Sequence, residues 1–177
     1  MVWPLIPAWS KGQLPKFSTA NCRSEADTAF SETVSAKPTF RSAWKRDQRC
    51  VVPFSWFYEW DQHSRPKQPW RIFPTRDPAL YFAGLWERSL TPGDEVIESF
   101  TIITTGANRL LEEIGHHRCP VMLASEDFET WLSGDKADAE RLIRTPPADG
   151  LATHRVTTRL NNPGYQEPDL LEEATPD

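Results

Sequence analysis

The sequence predicts an α+β fold: a single β-rich domain with a mainly antiparallel sheet and a few flanking helices. Three observations point there. Apolar runs are short and rich in β-branched and aromatic residues. Sixteen prolines and several Gly/Asn/Asp/Ser clusters punctuate them at hairpin-like intervals. Helical periodicity is confined to three brief stretches after residue 107.

Taken in order, Asn21-Cys22-Arg23 is a short extended segment in which Asn21 and Arg23 share one face and Cys22 takes the other. Arg49-Cys50-Val51-Val52-Pro53 and Trp56 to Trp60 read as strands, bounded by Pro53. His63-Ser64-Arg65-Pro66 is a turn leading to a strand over Trp70 to Phe73. Tyr81 to Leu85 and Phe100 to Thr104 are further strands, separated by the hairpin signal Leu90-Thr91-Pro92-Gly93-Asp94. Asn108 to Ile114 places Leu110, Leu111 and Ile114 on one helical face. His116 to Pro120 is a tight loop before the apolar Val121-Met122-Leu123. Ser125 is positioned to cap a helix over Glu126 to Leu132, and Asp135 one over Lys136 to Arg144, which Pro146-Pro147 stops. Thr153 to Thr158 reads as the last strand and Asn161 to Gly164 as a turn.

A chain of 177 residues is long enough to bury one core without metal or disulfide support. The expected domain covers residues 1–163, with 164–177 as an acidic, flexible tail. Net charge is -5, but residues 1–76 carry 12 basic against 6 acidic side chains and residues 77–177 carry 8 against 19, giving +6 and -11. An acidic second half therefore masks a basic first half, which suits a polyanion. Three cysteines with no C-x-x-C pair argue against a disulfide framework and a zinc site, so no metal or cofactor is expected and a reducing cytoplasm is. No run of about 18 apolar residues predicts a membrane span, and no signal peptide is visible.

Three polar islands carry chemistry. Glu59 shares a strand face with Phe57, so it is either a desolvated carboxyl with a raised pKa, suited to general acid work, or an edge-strand group facing water. In His116-His117-Arg118-Cys119-Pro120, a histidine can shuttle protons and Arg118 can grip a phosphate in a bidentate fork; equally, the loop is a surface turn with satisfied imidazoles. Asn21 and Arg23 can hold a sugar-phosphate together, or Glu25 can neutralise Arg23 at a polar strand edge. Cys119, beside Arg118, is the one thiol with a cationic neighbour, which keeps a Cys/His hydrolase open as a lesser reading.

Read in order, these motifs resemble the SRAP family (SOS response-associated peptidase domain), the abasic site processing proteins. Trp3-Pro4-Leu5-Ile6-Pro7-Ala8-Trp9 is similar to a W-G-x-x-P-x-W block, Asn21 to Glu25 to N-A-R-x-E, and Arg49 to Pro53 with Phe57 to Trp60 to R-C-x-x-P followed by F-Y-E-W. Ala83 to Trp86 fits A-G-L-W, His116 to Pro120 fits H-x-R-M-P, and Val156 to Asn162 with Glu167 to Leu171 fits the closing V-x-x-x-V-N and P-E-L-I segments.

The resemblance implies a barrel-like β-rich fold that binds single-stranded DNA in a basic groove. It also implies a thiazolidine cross-link between an abasic-site aldehyde and an N-terminal cysteine. Glu59, His116 and Asn21 would be the catalytic residues, with Thr104 helping to position the reacting end. Arg23 and Arg118 would hold phosphates, and Trp3 and Trp60 would stack on or wedge bases. The family's chains begin with Met-Cys-Gly-Arg well before the W-G-x-x-P block. Here that block begins at Trp3, so the expectation is a chain lacking that segment and its cysteine. The expected partner is single-stranded DNA with abasic sites, met by a monomer with no membrane involvement. A binding module without covalent chemistry is the alternative.

Overall fold

The structure, a computed structural model, describes residues 1–24, 34–76 and 80–174. Among these residues the strands are β1 (Asn21–Arg23), β2 (Arg49–Phe54), β3 (Phe57–Trp60), β4 (Pro69–Pro74), β5 (Leu80–Leu90), β6 (Val96–Gly106), β7 (Arg118–Pro120), β8 (Met122–Leu123) and β9 (Leu151–Arg155). Four short helices accompany them: α1 (Arg41–Lys45), α2 (Arg109–Glu113), α3 (Phe128–Ser133) and α4 (Lys136–Arg141). The class is α+β with mainly antiparallel sheets, as the sequence predicts. The larger sheet runs β1-β6-β5-β2 with β8 beside β5, the smaller β3-β4-β9, and neither order closes into a barrel among the described residues. Nor is any described helix long and apolar enough to cross a membrane.

The chain divides into two compact units. The first comprises Met1–Pro53, Tyr81–Gly106 and Pro120–Pro146. Its frame is the β5-β6 hairpin, paired from Gly84↔Ile102 to Leu90↔Val96 and closed by Thr91 N–H donating to the Glu95 carbonyl. The turn falls where Leu90 to Asp94 predicts it, but both strands run longer than their apolar centres indicate. Gly84 is required by close approach: a Cβ there would lie 2.8 Å from the Thr101 carbonyl oxygen and 2.9 Å from Cys50 Sγ. β1 joins β6 in parallel, with Arg23 opposite Thr104.

The core of this unit gathers Leu5, Cys22, Trp44, Leu85, Ile103 and Trp131, among others. Trp131 is fully buried, tilts against Trp44 with ring centroids 6.2 Å apart, and donates its indole N–H to the Cys50 carbonyl. Truncating a tryptophan so placed costs about 3–5 kcal/mol. Helix α1, absent from the sequence reading, delivers Ala43 and Trp44 to this core in barely more than one turn. The α3 region also differs from expectation. Ser125 does not cap it; a 3-10 turn over Ser125–Asp127 precedes the helix, and Asp127 accepts from the Ala124 N–H. α4 is capped by Asp135 as predicted, through the Asp138 N–H, but ends at Arg141 rather than Arg144.

The second unit comprises Phe54–Leu80, Ala107–Cys119 and Pro147–Asp177. β4 is its central strand, antiparallel to β3 on one side and to β9 on the other. The last strand begins two residues earlier and ends three residues earlier than Thr153 to Thr158 suggests, because Leu151 to Arg155 are the residues in register with Pro74 to Trp70. Ile72, Leu111, Ile114, Cys119 and Val156 are buried here. The acidic segment beyond residue 164 is hydrogen-bonded to this sheet: Tyr58 Oη donates to the Leu170 carbonyl, Arg71 to the Leu171 carbonyl, and the Ala174 N–H to the Arg155 carbonyl. Asp177, the last residue of that segment, lies outside the described residues.

Candidate functional site

Strand alternation in β3 decides what Glu59 meets. Tyr58 and Trp60 point to the side of the C-terminal segment, Tyr58 donating to the Leu170 carbonyl and Trp60 Nε1 to Asn161 Oδ1 at 2.8 Å. Glu59 points to the other side, where its Oε2 lies 3.2 Å from His116 Nε2. The Glu59 and His116 side chains are 23% and 18% exposed, so water reaches the pair without filling it. Burial pushes the Glu59 carboxyl up to about 7. Burial likewise lowers the His116 pKa, opposed by the main chain of Trp60 and reinforced by the charges of His117 and Lys67. Both shifts favour the same proton arrangement: a carboxylic acid donating to a neutral imidazole. Among the described residues, His116 Nδ1 is buried without a hydrogen-bond partner.

A helix C-terminus sets the His116 position. Asn108 caps α2 by accepting from the Leu111 N–H, and the helix ends in a Schellman turn: Gly115 N–H donates to the Glu112 carbonyl and His116 N–H to the Leu111 carbonyl. The turn needs Gly115 at φ +77°, a left-handed conformation that a side chain resists. From the sequence Gly115 leaves the choice between His116 and His117 open. The turn leaves His116 part-buried against Glu59 and His117 exposed. Arg118 and Cys119 follow in β7, with Arg118 half-buried and Cys119 fully buried.

Glu59 also has cross-strand neighbours that the sequence reading missed. It pairs directly with Trp70 of β4, which pairs with Arg155 of β9, so carboxyl, indole and guanidinium form one row on one face of the smaller sheet. Trp70 Nε1 is buried with no partner among the described residues. Residues 59, 70 and 155 are linked by nothing local; the only available signal was strand pairing.

The first unit carries the remaining sequence-predicted residues. Asn21 and Arg23 are exposed on β1 and Cys22 between them is buried, matching the predicted alternation. Thr104 is 6% exposed and stands opposite Arg23 in register. Trp3 is 53% exposed and donates its indole N–H to the Ala20 carbonyl, beside the start of β1. Glu25, the candidate counter-charge for Arg23, lies outside the described residues.

No thiol is poised as a nucleophile. Cys22 and Cys119 are fully buried, and burial pushes the thiols of Cys50 and Cys119 up to about 12. For Cys119 the nearby Glu59 reinforces that rise. A Cys119/His hydrolase would need a thiolate near neutral pH, which this environment opposes.

The family model described as SOS response associated peptidase (SRAP) matches residues 1–163. The abasic site processing protein YoqW of Bacillus subtilis is 34% identical over 174 residues, 96% of this chain and 74% of that protein. HMCES of Gallus gallus, also named an abasic site processing protein, is 34% identical over 197 residues, with 97% of this chain matched to 56% of its own length. A crystal structure of a protein from Bacteroides thetaiotaomicron superposes with a TM-score of 0.82 at 27% identity, covering 98% of this chain and 75% of that one. One from Bordetella bronchiseptica gives 0.73 at 30% identity, covering 88% and 75%.

Proposed function

Because the chain belongs to the SOS response associated peptidase (SRAP) family, we propose that it is an abasic site processing protein of the DNA-damage response that binds single-stranded DNA and works on the aldehyde of an abasic sugar. The observation that carries this reading is the Glu59–His116 pair, a carboxyl 3.2 Å from an imidazole with both side chains largely buried. Capture of an aldehyde by an amine needs a proton delivered to the departing oxygen and one removed from the nitrogen. Glu59 as donor and His116 as acceptor supply both near neutral pH.

In the thiazolidine chemistry that the family resemblance implies, the nucleophile is a cysteine bearing a free α-amine. Cys22, Cys50 and Cys119 are internal residues whose burial opposes that role. Glu59 and His116 therefore act as the proton-handling half of the site. Asn21 and Thr104 orient the reacting sugar, Arg23 and Arg118 contact phosphates, and Trp3 and Trp60 stack on bases. Three free thiols suit a reducing, cytoplasmic setting.

The test uses a fluorescent single strand carrying one abasic aldehyde, the same strand reduced to the alcohol, and an intact strand. Anisotropy across a salt series should give salt-sensitive binding with preference for the aldehyde strand, lost in Glu59→Gln and His116→Ala. Salt-sensitive binding that ignores the lesion and both substitutions favours a binding module without chemistry. Absence of salt-sensitive binding overturns both.

A further inference from the structure

The row Glu59, Trp70, Arg155 leads out of the proton-handling pair to a cation whose role is unassigned. Directly paired residues of an antiparallel sheet point to the same face, and Arg155 follows this rule: its guanidinium carbon lies 5.2 Å from the centroid of the Trp70 ring. The Arg155 residue is exposed. Its main-chain carbonyl accepts from the Ala174 N–H, which ties down the backbone.

What Arg155 touches is an indole rather than a carboxylate. Several exposed arginines are matched by carboxylates, Arg88 by Glu98, Arg109 by Glu113, Arg141 by Asp138 and Arg159 by Asp169. Among the described residues Arg155 has no carboxylate within ion-pair distance, only the indole face. A cation–π contact engages the flat face of a guanidinium and leaves the N–H edge open. That edge is the fork that grips a phosphate, and fixing the plane in advance reduces the order lost on binding.

We propose that Arg155, held against Trp70, binds a backbone phosphate of the single strand next to the abasic sugar worked on by Glu59 and His116. The inference rests on the single-stranded DNA reading above and adds to it a contact that the sequence motifs do not include. Two strand spacings, about 10 Å in all, separate the Arg155 and Glu59 backbones, a gap that one nucleotide and an extended arginine can bridge. The contact is independent of base identity, so Trp70 and Arg155 position the strand and read no sequence.

The experiment measures binding of fluorescent single strands of different base sequence, with and without an abasic analogue, between about 50 and 200 mM salt. Arg155→Ala should weaken binding roughly tenfold on every strand. It should also reduce the slope of log affinity against log salt by about 0.7, the signature of one lost phosphate contact on a single strand. Arg155→Gln, which keeps the stem and removes the charge, should do the same, while Arg155→Lys should retain the slope. Trp70→Phe should bind more tightly than Trp70→Leu. Wild-type affinity and slope in Arg155→Ala or Arg155→Gln, with the wild-type protein binding DNA, would overturn the assignment and leave the broader function standing. If the wild-type protein shows no salt-dependent binding, the broader reading falls and this one with it.

Discussion

Glu59 Oε2 and His116 Nε2 stand 3.2 Å apart, joined across a strand and a helix-terminating turn by groups whose pKa values burial moves in opposite directions. A carboxyl raised to about 7 holds its proton more tightly when folded than when unfolded. Its contribution to stability is therefore full below the ordinary carboxyl value of 4.5 and is lost as pH rises through about 7. Glu59→Gln keeps the shape of the acid and removes the titration. Relative to wild type it should be near neutral at pH 4.5 and more stable by up to about 3 kcal/mol at pH 8. Urea unfolding of both proteins at the two pH values checks this, and a difference that does not grow with pH contradicts the buried-acid assignment.

With free cysteine supplied as the nucleophile, the same pair should shape the rate at which an abasic strand is modified. Loss of the Glu59 proton lowers the rate as pH rises through about 7. Protonation of His116, whose pKa is lowered, lowers it on the acid side, below the ordinary imidazole range. The expected profile is bell-shaped, with an alkaline limb that disappears in Glu59→Gln and an acid limb that disappears in His116→Ala. Each substitution should slow the reaction about 10²–10⁴-fold, the usual range for a positioned acid or base. Initial rates on a denaturing gel between pH 5 and 9 provide the measurement.

Gly115 sets the geometry of the pair without touching either reacting group. At φ +77° an added Cβ is strained by the backbone and would also lie 2.9 Å from Asp61 Oδ1 and 3.0 Å from His63 Cδ2. Gly115→Ala should cost about 1–3 kcal/mol in urea unfolding. By displacing the turn it should also reduce the modification rate more than it reduces DNA affinity. Equal losses in both would mean that the turn supports the fold rather than the placement of His116.

Local pattern carried much of the site. Two-residue alternation gave the outward Asn21 and Arg23 with Cys22 inside, and separated Glu59 from Tyr58 and Trp60. Capping chemistry gave Asp135 correctly and misplaced Ser125, because a 3-10 turn satisfied by Asp127 competes with a side-chain cap there. What stayed hidden was tertiary. Nothing within a few residues of Trp70 or Arg155 ties them to Glu59, and helix α1 is held by the burial of Trp44 rather than by propensity. Gly115 was visible, but its meaning depended on the left-handed turn that distinguishes His116 from its neighbour.

The buried thiols predict chemical silence. With Cys22 and Cys119 fully buried, and Cys50 and Cys119 raised to about 12, a thiol reagent at pH 8 should label none of the three rapidly in the native protein and all three in urea. Cys119→Ala should leave the modification rate within about twofold of wild type while costing roughly 1 kcal/mol of stability from lost packing. Rapid native labelling of Cys119, with loss of activity, would restore the hydrolase reading.

Asn161 should act on DNA through Trp60. Its Oδ1 accepts from Trp60 Nε1 and its Nδ2 donates to the Lys67 carbonyl, both at 2.8 Å, so one amide fixes an indole and the β3-β4 loop together. Both bonds lie where water can replace them, and Asn161→Ala should cost only about 1 kcal/mol of stability. Stacking of a base on an aromatic ring is worth about 1–3 kcal/mol, and Trp60→Ala should forfeit that amount in single-strand affinity. A loosened indole forfeits part of it, so Asn161→Ala should weaken binding severalfold in the wild-type background. With Trp60 already removed, the same change should have no further effect. A double-mutant cycle read by anisotropy separates the possibilities: an Asn161→Ala penalty that persists without Trp60 would mean the amide works through Lys67 and the loop, not through the stacking ring.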